Sequence, residues 1–228
     1  MLIVGLDDTD TLETRGTGHL AREIASALAQ DYPVLGVTRH QLLRDPRVPC
    51  TKNNSAAAVL LEAGGAEALA AVYARVRALM LAALIPGSDP GLCVAEAVPD
   101  EVLAYGRRVQ RELVDQGSAR TLAAACGLPL AGLGGTEDGV IGALAAVGLA
   151  ASGEDGRYVL VGRVRELSGL QPVSALLAAG IAAVRTLEGA PVVGGLVDTD
   201  RLRPARRGGR PVAVVAPEGD HWVPLKLD

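Results

Sequence analysis

The sequence predicts an α/β fold with mixed sheets, and three observations carry that prediction. Short apolar runs bounded by turn residues alternate with amphipathic stretches along the first half of the chain. Hydrophobic residues make up 49% and charged residues 21% of the 228 residues, a globular balance far from that of a disordered chain. Apolar runs such as 79–85 and 143–149 stop far short of the roughly 18 residues a membrane helix requires, and no basic-then-apolar leader opens the sequence, so a cytoplasmic protein is expected.

Taken in order, Leu2–Leu6 is an apolar run ended by four polar residues and reads as a buried strand. From Gly18, the positions Leu20, Ile24 and Leu28 recur at helical spacing until Asp31-Tyr32-Pro33 stops them. Pro33–Leu43 and Ser55–Glu62 read as the next strands, flanking a polar loop, 44–54, that is long for a bare connection. An amphipathic helix follows over Ala66–Leu84, with Leu69, Tyr73, Val76 and Met80 on one face. Leu92–Ala97 is another short strand. Pro99-Asp100-Glu101 opens a helix reaching about Asp115, and Gly117-Ser118 permits a further one over Ala119–Cys126. Gly132–Gly139 is a glycine-rich loop at the start of an apolar, Ala-rich helix, Val140–Leu149. The last third alternates the runs Tyr158–Val161, Val192–Leu196, Pro211–Val215 and Trp222–Leu227 with turns, which predicts strands. No repeat and no clean linker divides the chain, so residues 1–228 read as one unit.

Charge and composition narrow the function. Lys plus Arg total 22 against 26 Asp plus Glu, a net charge of -4, so the molecule has no general attraction for phosphate backbones. Any nucleic-acid contact must be local, and Arg201–Arg210, with five arginines in ten residues, is the concentrated basic stretch. One Trp, four Tyr and no Phe leave no evident base-stacking platform. Cys50, Cys93 and Cys126 are odd in number and contain no C-x-x-C pair, which argues against a disulfide framework and a zinc ribbon; each reads as a small buried hydrophobe. His19, His40 and His221 lack metal-ligand spacing and read as surface or capping residues.

Chemistry concentrates in Gly5-Leu-Asp-Asp-Thr-Asp10, which places Asp7, Asp8 and Asp10 at the carboxyl end of the first strand. Close carboxylates repel unless a cation lies between them, and hard oxygen ligands completed by phosphates are how Mg²⁺ is usually held. An acidic turn capping the next helix is the other reading. Thr9, inside the motif, reads as a nucleotide contact. Gly132-x-Gly-Gly-x-x-x-Gly139 offers backbone N–H groups and a helix start to phosphates through Gly134, Gly135 and Gly139; a tight turn packing the Gly/Ala helix against a sheet accounts for it equally well. In the 44–54 loop, Arg44, Arg47 and Lys52 are placed to reach phosphoryl oxygens, with Asn53 and Asn54 fixing orientation, against the alternative of a solvated loop.

These segments, in this order, resemble the N-terminal part of the archaeal isoleucine-tRNA 2-agmatinylcytidine synthetases, the TiaS family. The matching pieces are Val4–Asp10, Gly16-Thr-Gly-His-Leu20, Asp45-Pro-Arg-Val-Pro49 with Asn54 behind it, Asp89-Pro-Gly-Leu92 and Gly139–Ala145. The resemblance implies a kinase-like α/β domain intimately joined to a ferredoxin-like subdomain, without the family's OB-fold and zinc ribbon. It also implies ATP and Mg²⁺ as cofactors, with Asp7, Asp8 and Asp10 holding metal and phosphates, and Thr17 as a phosphoacceptor. Thr17 lies at a helix start, where the dipole favours an added phosphate. The expected function is an ATP- and Mg²⁺-dependent phosphotransferase or ligase-like enzyme acting on an unknown small-molecule or RNA acceptor. Two alternatives stand beside it: a non-catalytic nucleotide- or metal-binding module, and wobble-cytidine modification of tRNA with a partner RNA-binding chain. A homo-oligomer is compatible with the sequence, which does not specify one.

Overall fold

The computed structural model describes residues 1–51 and 53–227. Strand β1 (Leu2–Asp7) leads through α1 (Thr17–Leu28) to β2 (Val34–Gln41), β3 (Ser55–Leu61), α2 (Ala66–Ala82) and β4 (Gly91–Ala95). These strands are antiparallel neighbours in the order β4-β1-β3-β2, the split βαβ arrangement of a ferredoxin-like unit. β1 shows why the sheet needs cover on both faces. Leu2, Val4 and Leu6 join the core beneath α1 and α2, while Ile3 points to the opposite core.

The opposite face is covered by α3 (Asp100–Val109), α4 (Gln116–Ala125) and, after β5 (Leu130–Gly132) has paired with β4, by α5 (Gly139–Ser152). Helix α5 is apolar on all sides and almost wholly buried. Its glycines and alanines let its backbone press onto β1. A Cβ on Gly142 would overlap the Asp7 carboxylate, and one on Gly5 would overlap the Ala143 carbonyl.

The sheet then continues into a C-terminal lobe. β6 (Arg157–Leu160) pairs with β2 and is followed by a 3-10 turn (Val164–Glu166), β7 (Leu170–Pro172), α6 (Val173–Ala178), β8 (Ala183–Thr186), β9 (Leu196–Asp198), β10 (Ala205–Arg207), β11 (Arg210–Glu218) and β12 (His221–Pro224). The path runs β6-β10-β11-β12-β9-β7, with β8 parallel to β11. One apolar cluster extends from Ile3 and α5 through Tyr158 to Leu176, Val197 and Val215. The strand-rich tail expected from the sequence is present, but 192–195 lies outside any strand and β9 begins only at Leu196.

Two residue assignments need correction. His40 is neither a surface nor a capping residue: it is fully buried, its Nε2 2.8 Å from Thr38 Oγ1 and its Nδ1 2.8 Å from Asp155, which also accepts from Gln110 at 2.9 Å. This network ties β2 to α3 and the α5–β6 turn, and its hydroxyl and imidazole are both closed to solvent. Of the cysteines only Cys93 is fully buried, where loss of hydration pushes its thiol up to about 12; Cys126 is half-buried and Cys50 is exposed. Among the described residues no helix is long and apolar enough to cross a membrane.

Candidate active site

The carboxyl end of β1 opens into a cavity of about 710 Å³, within the size range of ligand pockets. Asp7, Asp8, Asp10, Asp89 and Asp138 line one part of it. Leu42, Leu43, Val48, Pro49, Val109 and Leu113 supply an apolar part. Each acid arrives by its own route. Asp7 is the last residue of β1 and stands opposite Gly91 of β4, which brings Asp89 alongside. Asp138 comes from the start of α5, held by Gln116 at 2.6 Å.

Asp8 sits at φ 52°, a left-handed conformation that costs a non-glycine residue about 1 kcal/mol or more. Its carbonyl is fixed by the Asp89 N–H at 3.1 Å, and the Asp89 carboxylate is fixed by the Thr136 N–H. Electrostatically the cluster is unbalanced. Loss of hydration beneath α5, and then the neighbouring Asp8 charge, push the Asp7 carboxyl up to about 8. Loss of hydration followed by Asp89, Asp10 and Asp138 pushes Asp8 up to about 6. Among the described residues no three acidic, His or Cys side chains converge closely enough to hold an ion by themselves.

Asp10 faces a different neighbourhood. Helix α1 begins after Gly16, which has no side chain to cap it, and Asp10 supplies the missing acceptor from seven residues upstream. Its Oδ1 accepts from both the N–H and the hydroxyl of Thr17 at 3.0 Å, while its Oδ2 accepts from Thr51 Oγ1 at 3.0 Å. Thr17 Oγ1 in turn accepts from the N–H and the hydroxyl of Thr9, at 3.3 and 3.2 Å. Both Thr9 and Thr17 are buried, and Thr17 reaches the cavity wall. A carboxylate on a threonine hydroxyl, at the positive end of a helix, is the geometry of a base beside a nucleophile.

The structure thus gathers Asp7, Asp8, Asp10, Thr9, Thr17 and Asn54, whose Nδ2 holds the Leu43 carbonyl at 3.0 Å. Arg47 also reaches the cavity, held by both oxygens of Asp45 at 2.8 and 2.7 Å. Arg44 is exposed, lies off the cavity and bonds Gln41 at 3.3 Å. Lys52 lies outside the described residues. Gly134, Gly135 and Gly139 do not line the cavity: Gly135 sits against Asp89, Gly134 against Leu84 and Pro90, and Gly139 under the Asp89 carbonyl. Sequence reasoning missed Thr51, and it missed that Asp89 and Asp138 join the acidic cluster. It also missed the dispersal of the Arg201–Arg210 stretch, whose Arg206 is buried and bound to the Ala150 carbonyl of α5. Arg203 belongs elsewhere: Arg22 on α1, already partly desolvated, is repelled by Arg165 and Arg203, which lowers its guanidinium below the usual range.

No protein-family model and no curated protein sequence matches this chain. Solved structures do. A tRNA fluorescent labelling enzyme aligns with TM-score 0.56 and 24% identity over 64% of this chain and 35% of its own. The complex of TiaS with its isoleucine tRNA and ATP aligns at 0.55 and 23% over 64% and 36%, and that with the tRNA, AMPCPP and agmatine at 0.52 and 24% over the same shares. Over that stretch the chain has the fold of TiaS. TiaS is an agmatidine synthetase acting on isoleucine tRNA, and this chain spans about a third of its length. The α/β fold and the TiaS likeness expected from the motifs are therefore found, as a likeness of fold.

Proposed function

We propose that this chain binds ATP with Mg²⁺ in the β1 cavity and acts as a phosphotransferase or ligase, with Thr17 the first phosphoryl acceptor. The observation that carries the reading is the Asp10–Thr17 pair, a carboxylate 3.0 Å from a threonine hydroxyl at the wall of a cavity with an acidic and an apolar part. ATP complexes among the TiaS structures of like fold support the choice of nucleotide. The donor set suits Mg²⁺, which is commonly held by one or two carboxylates with phosphate oxygens completing the shell; one or two of Asp7, Asp8, Asp89 and Asp138 would hold it, with the nucleotide's phosphates supplying the other oxygens. The ion would neutralise charge on the transferring group.

Thr17 Oγ1 forms the new bond to the γ-phosphorus as the β–γ bridging bond breaks and ADP leaves, and the hydroxyl proton passes to Asp10 Oδ1. For this, Thr17 must release one of the two long contacts from Thr9. Asp10 then carries the proton near the phosphorylated helix start, where N–H groups stabilise the added charge. The test is incubation with Mg²⁺ and γ-labelled ATP followed by peptide mapping. Label on Thr17 that is absent from Thr17→Ala and Asp8→Ala is the expected result, and the absence of both label and hydrolysis in the native chain refutes the reading.

A second reading, RNA as the eventual acceptor, is favoured by one specific feature. Arg15 and Arg22 flank His19 on and just before α1, the helix that carries Thr17, Glu23 lies 3.1 Å from His19 Nε2, and Arg165 and Arg203 repel Arg22 from beside it. Four guanidiniums gathered around one carboxylate are a local match for a phosphate backbone. Salt-sensitive binding of tRNA that weakens in Arg22→Ala supports it, and no binding at low salt, alone or with a cell extract added, removes it.

A further inference from the structure

A second cavity, of about 640 Å³, opens at the other end of α5, in the C-terminal lobe. Three arginines line it: Arg185 on β8, Arg207 at the end of β10 and Arg210 at the start of β11. They come from separate strands, assembled because β8 and β10 both pair with β11. Arg207 is fixed, its Nη1 donating to the carbonyls of Glu154 at 3.1 Å and Arg206 at 2.8 Å. Arg185 and Arg210 are exposed, and neither makes a side-chain hydrogen bond or ion pair among the described residues. Among the described residues the one acid lining the cavity, Glu154, accepts from the Gly208 N–H at 2.7 Å. Three guanidiniums thus face one carboxylate among the described residues, in a molecule whose overall charge is -4.

The rest of the lining is largely aliphatic: Ala183, Leu187, Val212, Val214 and Leu227. No aromatic ring contributes among the described residues, so the cavity has no face on which a base could stack. Guanidinium forks match phosphate geometry, and an excess of two positive charges suits a phosphate dianion better than a single carboxylate. We infer that this cavity is a second ligand site, separate from the β1 cavity, that takes a phosphate monoester carrying a short aliphatic chain. The phosphate is held by Arg185, Arg207 and Arg210 and the chain lies on the Val212–Val214 floor. The site does not depend on the reaction proposed for Thr17.

The test compares inorganic phosphate, n-butyl phosphate and a short single-stranded RNA, read by methyl NMR of Val212, Val214, Leu187 and Leu227. Butyl phosphate is expected to shift these methyls and to bind several-fold tighter than inorganic phosphate, because each buried methylene adds affinity. Arg185→Ala with Arg210→Ala is expected to weaken butyl phosphate at least tenfold with an unchanged melting temperature. Equal affinity for the two phosphates, shifts untouched by the double variant, or no shift at about 20 mM probe, a concentration that fills even a site of millimolar affinity, overturns the proposal. Tighter binding of the RNA, lost in the same variant, assigns the arginines to nucleic acid and overturns the small-molecule assignment.

Discussion

The two ends of α5 carry opposite charges, and they handle them differently. At its N-terminal end Asp7 and Asp138 face other carboxylates across the β1 cavity, with no side-chain cation bonded to either among the described residues. At its C-terminal end Arg206 is absorbed into the fold: Nε donates to the Ala150 carbonyl at 3.0 Å, and Nη1 donates to the Tyr158 hydroxyl at 2.6 Å and the Gly209 carbonyl at 2.7 Å. Both arrangements suit the helix dipole in sign. Only the second satisfies its own charge. The contrast separates a charge kept for stability from charges left available for a ligand, and it does so on one helix about 20 Å long.

Breaking the acidic end at the nucleophile should give the largest effect. Asp10→Asn keeps a side chain that can accept from Thr17 but is far too weak a base to take its proton. Labelling of Thr17 should fall by about 10² to 10⁴, the usual worth of a positioned base, with nucleotide affinity in a binding assay little changed. A fall of less than about threefold, well short of that range, would reduce Asp10 to a helix cap.

The next effect is on stability and has a definite sign. Asp7 and Asp8 are held above the ordinary carboxyl range, to about 8 and about 6, so the folded chain keeps protons that the unfolded chain has already released. Their penalty is absent below about pH 4 and grows as pH rises through about 6 and then about 8. Asp7→Asn should therefore stabilise the metal-free protein by up to about 5 kcal/mol at about pH 8, the worth of a carboxyl raised from the ordinary range to about 8, and by nothing measurable at about pH 4, in paired thermal or urea melts. Added Mg²⁺ should narrow the gap by stabilising the native chain alone. A gap that does not depend on pH would mean that Asp7 is ionised and satisfied in the apo fold.

How much of this is legible in the sequence divides along the same line. The motif Asp7, Asp8, Asp10 and the helix that starts at Thr17 are local in sequence, so pattern reading finds them. Asp89 and Asp138 reach the same cavity only because β4 pairs with β1 and α5 packs beneath it, and no local signal announces that. The glycines after Gly132 are visible as a cluster, but their cause is close packing against Asp89 and Pro90, a property of the partner and not of the loop. In the C-terminal lobe the short strands β7, β9 and β10 have three residues each, too few for any period, and exist through their pairing. The five arginines of 201–210 read as one patch in the sequence. Alternation along β10 instead turns Arg206 inward and leaves Arg207 at the second cavity.

Arg206 offers the last and smallest test, because it measures what a satisfied charge is worth. Arg206→Met keeps much of the aliphatic length and removes donors from the Ala150 and Gly209 carbonyls and from the Tyr158 hydroxyl, all at hydrogen-bond distance. Tyr158 can still donate to Gly209 at 3.1 Å, so part of the network repairs itself. The expected cost is about 1–2 kcal/mol, less than the sum of three lost bonds, since methionine spares the burial of a charge. It should be equal at about pH 6 and about pH 9, because a guanidinium does not titrate there. A loss that varied with pH would tie Arg206 to a titrating group and make this end of α5, like the other, a site where charge is held in reserve.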